Sequence, residues 1–317
     1  MKRGIQEAGL ALAFVLIYAA ISVKVPEFRT LDNVENLVRQ SIVVGIAAIG
    51  MTLIIARGAI DLSVGSIVAL ITVVTAKTIN AAGPGAAVAA AIVVGIIAGT
   101  INGLLTAWLK VGAFIVTLAG LLAYRGLAKG LADNSTINTS SNWISSLTQR
   151  LGDNQKWMIL PTGAWLMIAL AVVVAFMMSS TVFGRRIIAT GSNENTAQLC
   201  GIDPNRMTVG VFALAGALFG IAGLVQYARL NTGDPTVAGG LELTTIAAVV
   251  IGGASLSGGS GSILGTILGV LIMQTIATGS SQMGLPNWIQ EIITGLIIVA
   301  AVAYDRWRAR RMSASAA

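Results

Sequence analysis

Ten apolar stretches decide what this chain of 317 residues can fold into: near 8–23, 41–56, 60–79, 86–108, 112–130, 162–181, 207–226, 244–257, 262–278 and 285–304. A helix needs about 20 mostly apolar residues to cross the hydrocarbon layer of a bilayer. Inside that layer only the chain itself can satisfy its backbone N–H and C=O groups. The pattern predicts an all-α, polytopic helical membrane protein of about ten transmembrane segments, a single transmembrane domain over 1–317 with its core at 41–304. Two stretches, 41–56 and 244–257, are short and are expected to be broken or re-entrant helices shielded by protein or water. Charged residues make up 10% of the chain, against about 25% in an ordinary soluble domain, so most of the chain belongs in membrane lipid.

The few charges gather at the ends of these stretches. Lys2, Arg3, Arg306, Arg308, Arg310 and Arg311 crowd the termini, and Arg185 and Arg186 mark one internal loop. The net charge of +7 therefore orients the chain in a membrane and gives no reason to expect nucleic acid. With the basic side inward, both termini, Arg57, Lys110 and the loop 182–206 lie in the cytoplasm, as expected for a bacterial inner membrane. Residues 131–160, rich in Ser, Asn, Thr and Gln, become the long external loop. The opening MKRGIQEAGLALAFVLIYAAISV is laid out like a secretory signal, but in so apolar a chain it is expected to stay as the first anchor.

Several chemistries lack their residues. With no histidine and one cysteine, Cys200, an intrachain disulfide is impossible and a zinc or haem site has almost no ligands; no cofactor is expected. No G-x-x-x-x-G-K-[ST] phosphate loop occurs, so ATP is not bound by that route. No Ser/His or Cys/His pairing exists from which to build an intramembrane enzyme. No acidic residue sits clearly at mid-membrane, where ion-coupled carriers usually bury one.

Small and polar residues inside the spans carry the remaining information. Gly95, Gly99 and Gly103 recur every four residues, as do Gly261, Gly265 and Gly269, and Gly216 with Gly220. On helices these are flat faces that let backbones approach closely. Asn102 must find a partner inside the membrane, lining a path or joining two helices. In ARGAIDLSVGSIVAL, Arg57 and Asp61 stand one helical turn apart and are expected to pair at a boundary. Asp61, Ser63 and Ser66 form the polar start of the next span, a capped helix end or part of a gate. With Gly65 and Ser257, these residues and Asn102 are the candidate translocation path or gate. The stretch from Ile246 loosely echoes the one from Ile46, each an apolar run, a Gly/Ser-rich break and a second run. This hints at a duplicated core whose halves are either parallel or inverted.

The loop FGRRIIATGSNENTAQLCGIDPNRM, from Phe183 to Met207, is polar and basic at one end. Asn195 or Thr196 is expected to cap a short helix through Cys200, stopped by Gly201 and Pro204. This loop resembles the G-R-x-x-x-A-x-G-x-N-x-x-x-A-x-x-x-G-I signature of ribose-type sugar permeases of ATP-binding-cassette importers. Gly50–Leu70, Asn102-Gly103, Ala113–Leu118 and Ile246–Gly269 resemble further stretches of that family in order, while Ala59, Gly112, Ser192 and Thr196 depart from its pattern. The resemblance implies a permease that translocates a ribose-like monosaccharide. It implies cytoplasmic ATPase subunits docked on the loop helix, a periplasmic or lipid-anchored sugar-binding protein, and a second permease chain, a homodimer being favoured. Gly184, Arg185, Arg186, Ala189, Gly191, Asn193, Ala197, Leu199 and Gly201 would then form or support the ATPase contact. A branched-chain amino acid permease of the same machinery is the alternative, and an ion-coupled secondary transporter the reading from another class.

Overall fold

The computed structural model describes residues 2–150 and 158–314. The expected all-α architecture is what it shows. In chain order the helices are α1 (Lys2–Lys24), α2 (Leu31–Ala56), α3 (Val64–Leu109), α4 (Ala113–Leu131), α5 (Thr162–Ser180), α6 (Val182–Ser192), α7 (Glu194–Leu199), α8 (Pro204–Leu230), α9 (Leu241–Ile251), α10 (Ile263–Gln282) and α11 (Asn287–Ala314). Seven of these are long and apolar enough to cross a membrane. Among them α3 is two legs, because Gly83 leaves helical geometry at φ +85 ahead of Pro84, which has no N–H to continue the ladder. Ile71 on the first leg meets Gly223 of α8, whereas Gly95 meets Gly220 and Gly103 meets Val209. The legs therefore run in opposite senses, and Gly83 reverses the chain. With α9 and α11 added, each of the ten expected segments has a counterpart.

Two of the expected boundaries change. The short stretch at 41–56 is the apolar part of α2, a full helix of 26 residues, about 39 Å long. Its first turns, LDNVENLVRQ, are polar and escape a hydropathy reading, yet Thr30 caps them by accepting a hydrogen bond from the Asn33 amide. The segment at 244–257 is indeed broken. Residues 231–240 approach without helix, α9 covers 11 residues, and a turn-rich break at 252–262 leads into α10.

The glycine faces meet each other. A Cβ at Gly99 would lie 2.9 Å from the Gly216 Cα, and one at Gly95 would lie 2.9 Å from the Gly220 Cα, so the stripes of α3 and α8 form one backbone-to-backbone interface. In the same way Gly265 and Gly269 of α10 press on the backbone of Gly252 and Ala248. These contacts also fix direction. Both α2 and α9 descend to the end of the molecule that carries α6 and α7, each passes through a Gly/Ser-rich break, and α3 and α10 climb back. The two echoing stretches thus run in the same sense, with Gly58 at φ +87 and Gly258 at φ +84 in matching positions. The α7 end also holds the start of α1, whose Glu7 accepts from the Ser262 hydroxyl at 2.8 Å.

At the far end, the polar segment 131–150 packs down as a cover. Ile137–Asn138 pairs antiparallel with Thr232–Gly233, and Thr139 and Ser145 hydrogen-bond the Tyr227 hydroxyl and the Asn231 side chain at the tip of α8. The core lies along α2, where Ser41 through Ala56 are all buried.

Candidate functional site

The helix that begins the site is capped differently from the sequence expectation. Asn193, not Asn195 or Thr196, takes the N-cap of α7, its Oδ1 accepting from the Thr196 amide at 2.9 Å. Extended φ/ψ at Asn193 (−156, 106) separates α6 from α7 and leaves its side chain free to turn back. At the other end Gly201, at φ +79, lets the Ile202 amide reach the Ala197 carbonyl at 3.0 Å. Thr181 caps α6 by accepting from the Gly184 amide at 3.2 Å. The result is a polar ledge in which Gly184 and Ala197 face inward, while Arg185, Arg186, Ala189, Asn193, Leu199 and Cys200 face out. Leu199 is 89% exposed.

Besides the packing of Gly184 on the Met177 and Met178 backbone, an ion pair and a backbone junction bind the ledge to the body. Arg57 is buried and its Nη2 donates to Glu194 Oε2 at 3.0 Å, to Thr208 Oγ1 at 3.0 Å and to the Pro204 carbonyl at 3.4 Å. Asp61 is not its partner. The one-turn spacing fails because α2 stops at Ala56, Gly58 takes a left-handed conformation and residues 57–63 are not helical. Beside the ion pair, Gly191 closes against the Ala56 carbonyl and the Gly259 amide, while the Gly259 N–H donates to that same Ala56 carbonyl at 2.9 Å. A Cβ at Gly258 would stand 2.8 Å from the Gly58 Cα. The end of α6, the break after α2 and the break after α9 are therefore in mutual backbone contact. Ser257 belongs to this junction, its carbonyl beside Gly58.

Asp61 belongs to a second cluster. Its Oδ1 accepts from the Ser63 amide at 2.7 Å and the Ser63 hydroxyl at 2.6 Å. Asn102, on the returning leg of α3, donates to the Ser63 hydroxyl at 2.9 Å and to Asp61 Oδ2 at 3.5 Å. Tyr124 of α4 donates to the Asn102 oxygen at 3.0 Å. Asp61 and Ser63 are fully buried and Asn102 is 1% exposed, so in this conformation the cluster joins three elements; Ser66 is equally buried, but its hydroxyl has no hydrogen-bond partner among the described residues. Thr117 of α4 adds to the same seam, accepting from the Leu62 amide at 3.1 Å and donating to the Ala113 and Ile60 carbonyls. Gly65 faces elsewhere, leaving room for the Ala238 carbonyl and the Glu242 carboxylate.

That last contact reveals a feature the sequence reading missed. Residues 232–240 enter the body without helix, and Arg125 of α4 holds them, donating to the Pro235 carbonyl at 2.9 Å and the Val237 carbonyl at 2.6 Å. Backbone that is not helical at membrane depth requires such partners. Glu242 lies against Gly65 and Asp61 is fully buried, so carboxylates do sit inside the body, where the sequence pattern predicts none. The signals were an arginine in the middle of a span and the pair Gly239-Gly240.

Comparisons with known proteins give relatives over nearly the whole chain. Residues 33–302 match the family described as branched-chain amino acid transport system / permease component. The chain is 39% identical to the probable ABC transporter permease protein YphD of Escherichia coli (strain K12), over 95% of this chain and 90% of that one. It is 38% identical to the ribose import permease protein RbsC of Bacillus subtilis (strain 168), over 95% and 93%. With the L-arabinose transport system permease protein AraH of E. coli (strain K12) it shares 35% identity, over 95% and 90%. No solved structure matches the chain.

Proposed function

We propose, from the premise that this chain belongs to the branched-chain amino acid transport system permease-component family, that it carries a neutral, ribose-like monosaccharide inward across a bacterial inner membrane. It is a multi-pass permease subunit of a sugar importer of the ATP-binding-cassette kind, and such importers work with separate ATPase and sugar-binding subunits. The α7 end faces the cytoplasm in this reading. That places both termini there, on the side where their arginines belong.

The observation that carries the mechanism is the junction at Gly191. A permease driven by a separate ATPase must receive force through a protrusion, and the ledge of α6 and α7 is one. Arg185, Arg186, Asn193 and Leu199 present the contact, while Gly184, Ala197 and Gly201 shape the ledge. A push on α7 reaches α2 and α3 through Arg57 and Glu194, and reaches α9 and α10 through the backbone contact with Gly259. Both descending helices thus end on one lever. The opposed glycine faces of α3 and α8 give tightly packed surfaces along which such a movement can pass.

The engaged charges of Asp61 and Arg57 support a neutral cargo. The buried Asp61 carboxylate is occupied by Ser63 and Asn102, and Arg57 by Glu194, so neither is free to hold the two charges of an amino acid. The permease forms a two-fold homodimer in this reading. Proteoliposomes holding the permease, its ATPase and its binding protein test it. ATP-dependent uptake of D-ribose or L-arabinose is expected, and uptake by the permease alone would contradict it.

A further inference from the structure

At the far end, a cavity of about 510 Å³ opens between α9, α10 and α11. Its polar lining is one set: Thr244 from α9, Ser280 from α10, and Asn287, Gln290, Glu291 and Thr294 from α11. The four on α11 stand at i, i+3, i+4 and i+7, a single stripe on a helix that is otherwise apolar through this region. From Asn287 to Ile298, at the deep end of the lining, α11 rises about 16 Å, close to half of a hydrocarbon layer of about 30 Å. Leu243, Ile276 and Ile298 supply the cavity's apolar part.

The hydrogen bonds already made say what the stripe has left to offer. Thr244 donates its hydroxyl to the Gly240 carbonyl at 3.1 Å, Thr294 to the Gln290 carbonyl at 2.9 Å, and Gln290 its amide to the Leu285 carbonyl at 2.9 Å. The hydroxyl donors of both threonines are in use, one amide proton of Gln290 is free, and the oxygen lone pairs of all three are free. Glu291 when ionised is acceptor-only, and among the described residues no cation pairs with it. The lining holds no lysine or arginine. Ser280, Asn287 and the second Gln290 N–H add neutral donors, so a solute that fits both donates and accepts, as hydroxyl groups do, and finds no cation to balance a negative charge.

We infer that this cavity is the outer vestibule of the transport path and that Glu291 is its specificity-determining residue, accepting hydroxyl donors from a neutral sugar and excluding anionic solutes. The inference rests on the importer reading above. It adds a site, half-way into the membrane, at which the binding protein's cargo is received before the ledge moves.

Two variants of the complete reconstituted complex test it, with radiolabelled D-ribose and L-arabinose as probes. Glu291→Leu removes the acceptor and should lower uptake about tenfold, the scale of one hydrogen bond to a charged group. Glu291→Gln keeps an acceptor oxygen and should retain most of it. Thr294→Cys should be modified by an impermeant thiol reagent added outside, a readout independent of cargo; Cys200 lies at the opposite end. Wild-type uptake by Glu291→Leu, or no outside labelling at Thr294→Cys, would overturn the vestibule. Failure of the unmodified complex to carry either sugar, with Thr294→Cys still labelled, would count against the sugar reading and leave the vestibule standing.

Discussion

Replacing Gly191 by alanine should separate ATP hydrolysis from transport. The added Cβ would lie 2.8 Å from the Gly259 nitrogen and 3.0 Å from the Ala56 carbonyl carbon, and closer still to the Ala56 oxygen. Favourable carbon contacts sit at about 3.5–4.0 Å, so the three backbones must part by roughly 0.5 Å or more. All the opposing atoms are main chain, and no side chain can swing aside. Overpacking of this kind costs about 1–3 kcal/mol, and the stretched hydrogen bond from Gly259 to Ala56 adds about 1 kcal/mol. A penalty of about 2–4 kcal/mol shifts a two-state balance roughly 30-fold to several-hundred-fold. It falls on the contact between α6 and both breaks, leaving Leu199 and the exposed ledge untouched. The assay is sugar uptake per ATP hydrolysed in proteoliposomes, with melting temperature measured alongside. Uptake should fall by at least about tenfold while the ATPase still binds and turns over. Gly210→Ala is the control, because its Cβ would meet only the Phe183 ring at 3.5 Å and gains helix propensity. Wild-type uptake per ATP in Gly191→Ala would refute the junction as a transmission point.

Other substitutions probe the remaining contacts. Gly99→Ala drives a Cβ into the Phe212 and Gly216 backbone and should lower stability by about 1–3 kcal/mol, read as a drop in melting temperature. Asn102→Ala leaves Ser63, Asp61 and the Tyr124 hydroxyl short of a partner and should cost about 1–3 kcal/mol. Tyr124→Phe should cost less, since Asn102 keeps its bond to Ser63. Arg125→Met removes both donors from the Pro235 and Val237 carbonyls, and hydrogen exchange over 234–240 should rise while α8 stays protected.

The parts of this molecule that were legible in its sequence are those set by local pattern. Four-residue glycine spacing announced close helix contacts, and the stripes at Gly95–Gly103 and Gly216–Gly220 meet each other. The polar loop around Ala197 announced a short helix between two spans, and its signature carried the family. Apolar length placed the spans but misjudged α2, because a helix continues wherever its backbone is satisfied, and Leu31–Gln40 satisfy theirs while reading as polar. The pairing of Arg57 failed for a related reason. A spacing of four implies contact only if the helix persists, and here it stops at Ala56. Its true partner, Glu194, is 137 residues away, and Arg125 reaches Pro235 across 110. No local rule finds such pairs, although a buried arginine does announce that a partner exists. Direction within the duplicated core was likewise open in the sequence; it is set by α10, which lies antiparallel to both α2, through Thr52 with Thr266 and Gln40 with Thr278, and α9, through Gly265 with Gly252 and Gly269 with Ala248.

The most direct test of force transmission through the ledge is a double-mutant cycle on Arg57→Gln and Glu194→Gln, scored by sugar uptake per ATP hydrolysed. If α7 moves the helix breaks through this ion pair, each single variant is impaired and the double variant is no worse than either, a coupling energy of about 0.5–3 kcal/mol. Independent, additive losses, or uptake unchanged in all three variants, would show that the ATPase drives this permease by another route.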